Sequence, residues 1–255
     1  MKDTIVVIGM GEMGSVFARG FLRSGHPVYP ITRNMDINLE AEKIPQPELV
    51  LLAVGEADLY EGLANIPQQW RDKLALLQNE LLPRDWKEHG YENPTMISVW
   101  FEKKKGQDSK VLIASPAFGP GASLLVEALE SLGIAAHVVG SAQQMEDELV
   151  RKNVYILTTN IAGMECGGTV DDLWNRHNAL ARQVADEVMD IQSWLTDHEV
   201  DRKKLIDGFV EGIEGDLEHK CMGRSAPARL KRALEFADQA GLSVPKLREI
   251  QTKFG

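Results

Sequence analysis

Cysteine, positive charge and long apolar runs are all scarce in this chain. Two cysteines in 255 residues, Cys166 and Cys221, form neither a CxxC pair nor a spacing suited to a metal. That excludes a disulfide-stapled fold and a cysteine-built metal centre; no metal is expected, and a reducing, cytoplasmic compartment is the default. No apolar stretch approaches the ~20 residues that span a bilayer. Met1-Lys-Asp3 leads into an apolar run without a signal-peptide pattern, so no membrane association is expected. Acidic residues outnumber basic ones by 38 to 28, a formal charge of −10, which argues against nucleic acid as a partner. Internal repeats and low-complexity tracts are absent too. What remains is an ordinary globular composition, long enough for one large domain or two modest ones.

Against these absences stands one strong motif. The β-rich run Thr4-Ile-Val-Val-Ile8 is followed at once by Gly9-Met-Gly-Glu-Met-Gly14, and Ser15–Arg23 then carries apolar residues at helical spacing. Strand, Gly-x-Gly-x-x-Gly and helix together form a dinucleotide-binding fingerprint. Gly9 makes the tight turn, Gly11 lets the backbone approach a pyrophosphate, and Gly14 lets helix pack on strand. The N–H groups of Met10, Gly11, Glu12 and Met13, at the positive end of the helix, are placed to hold phosphate.

Alternation continues through the first half of the chain. Strands are expected at Pro27–Thr32, Leu49–Val54, Lys73–Leu77, Thr95–Phe101, Lys110–Ala114 and Ala135–Val139, with helices at Ala57–Leu63 and Gly121–Leu132. This predicts an α/β fold, a Rossmann doubly wound parallel sheet over residues 1–141. From residue 142 to 255 the pattern is helical: Gln143–Asn160, Val170–His198, Asp201–Glu214 and Ala228–Ala240, broken by Gly163 to Gly168. A smaller all-helical domain for substrate or dimer contacts is expected there. Lys103-Lys-Lys105 reads as a solvated basic loop.

The end of the second strand decides between NAD and NADP in this fold. Here it reads Thr32-Arg33-Asn34, with no carboxylate before Asp36. Arg33 can grip a 2′-phosphate and Thr32 and Asn34 can add neutral donors, so NADP(H) is the expected cofactor. Ala53 and Val54, closing the third strand, are assigned to the same cofactor edge.

The helix opening the second half carries Lys152 and, eight residues on, Asn160. A cleft-facing ammonium can polarise a carbonyl and then protonate the alkoxide. Equally, Lys152 can be a surface lysine paired with Glu148, one helical turn earlier. With its N-terminal fingerprint, its arginine after the second strand and this Lys-x7-Asn helix, the chain resembles the ketopantoate reductase family (2-dehydropantoate 2-reductases). The resemblance implies that Lys152 is the catalytic proton donor and that Asn160 helps hold substrate. It also implies that Asn79 stands near the nicotinamide, as in the family's His-Asn-Gly loop, and that the chain forms a homodimer through its helical domain. Ala240-Gly-Leu-Ser-Val-Pro245 resembles the family's Gly-x-x-x-Pro turn.

Three departures qualify it. Ile156 replaces the family's first asparagine, the family's lysine after the third strand falls near Gly55, and Ser225 stands where a substrate-binding glutamate belongs. Ser225 can hold a substrate carboxylate, with Arg224 and Arg229 beside it, or simply begin a helix as N-cap with Pro227 in its first turn. The function expected is NADPH-dependent reduction of a small 2-oxo acid or related ketone other than ketopantoate. The alternatives are a 3-hydroxyacid dehydrogenase-like oxidoreductase, suggested by Lys152-Asn153, and a non-catalytic NADP(H)-sensing regulator.

Overall fold

The computed structural model describes residues 2–103 and 106–254. Two compact units emerge, Met1–Leu149 and Val150–Gly255, with the division inside one long helix, α6 (Ala142–Cys166).

In the first unit, continuous apolar runs make strands buried on both faces, as a parallel sheet covered by helices requires. Ile5–Ile8 (β1) and Leu49–Leu52 (β3) are buried at every position. Val28–Ile31 (β2), Leu74–Leu76 (β4), Thr95–Ile97 (β5), Ser115–Phe118 (β8) and Ala136–Val138 (β9) complete a seven-stranded sheet of order β2-β1-β3-β4-β5-β8-β9. It is parallel except where β8 runs against β5. Pro30 is tolerated within β2 because that strand is the sheet edge, where no further partner needs its missing N–H. Glu12–Arg23 (α1) lies against Ala122–Glu130 (α5); a Cβ on Gly20 would stand 2.4 Å from Ala128 O. Phe17 packs within 6.3 Å of Phe21 and 6.4 Å of Phe101, centroid to centroid, in the core beneath. Ile37–Lys43 (α2), Leu59–Ala64 (α3) and Pro83–Lys87 (α4) are the shorter helices of this unit.

Two expected strands are corrected. Thr95–Phe101 divides into β5 and a separate two-residue strand, Phe101–Glu102 (β6). Of Lys110–Ala114, Lys110–Val111 (β7) alone is a strand; it pairs with β6 in a two-stranded ribbon. The sheet strand comes later, at Ser115-Pro-Ala-Phe118, where Pro116 and the following glycines lower β-propensity but Ala117 is fully buried. Lys103 is not a freely solvated side chain: it pairs with Glu12 at 3.4 Å, its side chain 16% exposed. Lys104 and Lys105 lie outside the described residues.

The second unit is helical. α6 runs past the expected stop at Asn160, through Gly163, to Cys166, because Gly163 is a packing position: a Cβ there would meet Cys221 Cβ at 2.6 Å. The break falls at Gly167 and Gly168, with φ of 64° and 73°. The helix expected over 170–198 is two, Val170–Arg176 (α7) and Asn178–Thr196 (α8), parted at His177 with ψ 33°. Arg202–Gly215 (α9) and Ala226–Ala240 (α10) follow, then Pro245–Phe254 (α11), a helix not read from the sequence. Among the described residues, no helix is long and apolar enough to cross a membrane.

Candidate active site

Strand register brings the candidate cofactor residues to one level. Ile8 stands opposite Ile31 and Leu52, and Leu52 opposite Leu76, so Gly9, Thr32, Ala53 and Leu77 leave the sheet together. β2 and β3 flank β1, which makes this the switch point where open α/β sheets take ligands. Gly9 adopts φ 93°, and a Cβ there would come within 2.6 Å of Ala53 O. A Cβ on Gly14 would stand 1.9 Å from Gly9 O, whereas one on Gly11 would meet nothing within 4 Å. Gly9 and Gly14 are therefore required by the fold, and Gly11 borders open space. Met10, Gly11 and Glu12 are exposed, while the Met13 side chain packs on the core, leaving only its N–H for a ligand. Gly11 occupies the N-cap of α1 and has no side-chain oxygen for the first-turn N–H groups. A pyrophosphate fits this cradle.

Thr32, Arg33 and Asn34 are exposed after β2. Arg33 extends to Asp58, its guanidinium 3.6 Å from Oδ2, and the Thr32 N–H donates to Met35 Sδ at 3.4 Å. Ala53 donates its N–H to Ile8 O at 2.7 Å. The buried amide of Gln78 joins the ends of β3 and β4, donating to Leu52 O at 2.7 Å and Val54 O at 3.4 Å. Asn79 donates to Glu56 Oε1 at 3.1 Å, and Glu80 beside it has φ 62°. Sequence reasoning missed Gln78, Glu56 and Asp58; two carboxylates directly after a buried strand were the available signal for the last two. A groove of about 600 Å³, floored by Trp86, Met96, Phe118 and Met145, lies at the opposite edge, where β5 begins and β9 ends.

In the second unit, Lys152 and Asn160 are 8% and 7% exposed on α6, with Arg229 of α10 at 7%. The Arg229 Nη1–H donates to Asn160 Oδ1 at 2.8 Å. Asn160 Nδ2 donates to Cys221 O at 3.2 Å and to Thr159 Oγ1 at 3.4 Å, and Thr159 Oγ1 bonds back to Tyr155 O at 2.8 Å. Asn160 is thus the clamp that fixes the Arg229 fork. Burial pulls the Lys152 ammonium down to about 7, aided by repulsion from Arg229 and then Arg151. Arg151 is itself tied to Glu211 at 2.8 Å. Ser225 is exposed at the N-cap of α10 and makes no side-chain cap bond; its carbonyl accepts the Arg229 N–H at 2.9 Å. The buried cation in this segment is therefore Arg229. Cys221, its thiol pushed up to about 12 by burial, donates Sγ–H to Thr169 O at 2.9 Å and serves packing.

Comparison with solved structures extends over almost the whole chain. The 2-dehydropantoate 2-reductase of Methylococcus capsulatus superposes with a TM-score of 0.69 at 14% identity, covering 98% of this chain and 95% of that one. This chain has the ketopantoate-reductase fold. The same fold relates it to D-mandelate dehydrogenase in complex with NADH, with a TM-score of 0.69 and 16% identity over 98% of this chain and 97% of that one. A dimeric ketopantoate reductase from Staphylococcus aureus gives 0.65 at 14% identity, covering 99% of this chain and 100% of that one. No protein-family model and no curated sequence matches the chain.

Proposed function

We propose that this protein is a nicotinamide-dependent reductase of a small 2-oxo acid, taking NADP(H) through the Gly9–Gly14 loop and Arg33. The observation that carries the reading is the pair of buried cations in the second unit: Lys152, its ammonium brought to about 7, and Arg229 held by Asn160. A bound dinucleotide supplies the hydride that reduces the carbonyl carbon. Lys152 hydrogen-bonds the carbonyl oxygen, stabilises the charge that develops there and releases its proton to it; a donor with a pKa near the working pH suits that transfer. It is then recharged from solvent. The planar fork of Arg229 pairs with the substrate carboxylate, and Asn160 acts through Arg229 as a positioning residue. Gly11 and the first-turn N–H groups of α1 would hold the pyrophosphate, with Asn79 near the nicotinamide.

A substrate other than ketopantoate is favoured by the absence of a carboxylate at Ser225 and the buried arginine one turn later. The D-mandelate dehydrogenase that shares the fold has been captured with NADH and anilino(oxo)acetate, an oxo acid. Homodimers, as in the Staphylococcus aureus enzyme, are part of this proposal. The test is oxidation of NADPH and NADH against a panel of 2-oxo acids, ketopantoate included. Turnover with one member, lost in Lys152→Ala, supports the reading; tight dinucleotide binding without turnover across the panel overturns it in favour of a sensor.

A further inference from the structure

The loop after β3 is acidic at the very place where a phosphate-bearing cofactor would lie. Gly55-Glu-Ala-Asp58 carries two carboxylates and no cation, and each reaches back to a residue assigned to the dinucleotide: Glu56 to Asn79 at 3.1 Å, Asp58 to Arg33 at 3.6 Å. Because β1 lies between β2 and β3, the Arg33–Asp58 pair spans about two strand spacings, roughly 10 Å, across the mouth of the Gly9 loop. Asp58 ends the 3₁₀ turn Glu56–Asp58 that leads into α3; its carboxylate makes no cap bond there and is turned to Arg33. The Arg33 side chain is 94% exposed and that of Asp58 53%, so the pair is weak and exchangeable.

We propose that Asp58 sets the cofactor selectivity of this protein, by holding the arginine that would receive a 2′-phosphate and by opposing that phosphate with its own charge. NADPH must displace Asp58 from Arg33; NADH, whose ribose carries a neutral 2′-hydroxyl, need not. The site therefore accepts both, with affinities within about tenfold of each other, a difference of ~1.4 kcal/mol. This inference rests on reading the Gly9–Gly14 loop as a dinucleotide site.

Titrations of NADPH and NADH into the full-length wild type, Asp58→Asn, Arg33→Gln and the double variant separate the two. Expected for Asp58→Asn is a three- to tenfold tightening of NADPH, about the size of one exposed ion pair plus one removed like charge, with NADH moving less than about twofold. The tightening should shrink as salt rises, and in the Arg33→Gln background it should fall to the smaller part that comes from removing the like charge alone. Equal shifts for both cofactors, no shift, or a wild type that prefers one by more than about tenfold overturns the role of Asp58 while leaving the dinucleotide site standing. Failure of every form to bind either cofactor removes both. Both side chains are solvent-exposed, so these variants fold.

Discussion

Gly9 O lies 1.9 Å from the point where a Cβ on Gly14 would stand, while Gly11, between them, has clear space on every side. The two kinds of glycine should respond differently to the same added methyl. Gly14→Ala forces the loop away from α1 and should lower stability by about 1–3 kcal/mol, as overpacking does elsewhere. Gly11→Ala meets no clash, so it should cost stability by no more than about 1 kcal/mol, the effect of alanine at an N-cap, and weaken NADPH at least tenfold, because its methyl would occupy space a pyrophosphate needs. Thermal unfolding and cofactor titration of the two variants distinguish these outcomes.

The proposed role of Lys152 predicts a pH dependence. If the ammonium is the proton donor in reduction, kcat/KM for the oxo acid should fall as pH rises through about 7, and the reverse oxidation should gain over the same interval. Lys152→Ala should lose roughly 10²–10⁴ in turnover, the usual worth of a positioned acid. A pH–rate profile flat from about 6 to 9 contradicts the assignment.

The same shift has a thermodynamic sign. With its folded value lowered to about 7 from 10.5, Lys152 binds more protons in the unfolded state between those limits. Its penalty is therefore full below pH 7, and stability rises as pH climbs toward 10.5. Lys152→Met should be more stable than wild type at about pH 6, an advantage that shrinks by about pH 9 in denaturant titrations. A catalytically dead but stabilised variant is the expected signature of a buried cation kept for chemistry.

Arg229 should show itself through the substrate. Arg229→Met is expected to lower kcat/KM by about a hundredfold, in keeping with ~1.5–3 kcal/mol for a charged hydrogen bond, chiefly through KM. Arg229→Lys should recover little, since an ammonium lacks the fork. Asn160→Ala should give a smaller loss in the same direction. Retention of KM in Arg229→Met would move the carboxylate to another residue.

Glu187 caps α11 from α8: its carboxylate accepts the N–H of Lys246 at 2.8 Å and of Leu247 at 2.9 Å. Glu187→Ala should cost about 0.5–2 kcal/mol, the range for a lost helix cap. Hydrogen exchange should then quicken along Pro245–Phe254 first.

That cap also explains what was and was not legible beforehand. β1, β3 and α1 announce themselves through short apolar runs and adjacent glycines, signals that are local in the chain. α11 does not, because its cap is supplied by a residue some sixty positions earlier. β8 hides behind Pro116, and α6 passes through Gly163 only because Cys221 fills the space a side chain would have taken. At the site, Lys152 and Arg33 were visible as residue types in position. Arg229 was visible as a cation beside Ser225, but its bond to Asn160 was not, and Asp58 was not read at all, since which side chain folds against which is decided by tertiary packing.

Cys221 is fastened by its N–H to Gly168 O, by its thiol to Thr169 O and by its carbonyl to Asn160, while Arg229 closes on Asn160 from 69 positions away. Closing loops of that length draws on chain entropy before any contact repays it. During synthesis, a chain extended only as far as α9 already holds Lys152, Arg151 and Asn160 but not Arg229. The amine then lacks the stronger of the two neighbouring charges that depress it, and the guanidinium that Asn160 holds is absent. The buried Lys152–Asn160–Arg229 arrangement is complete only once α10 has been made and has folded back.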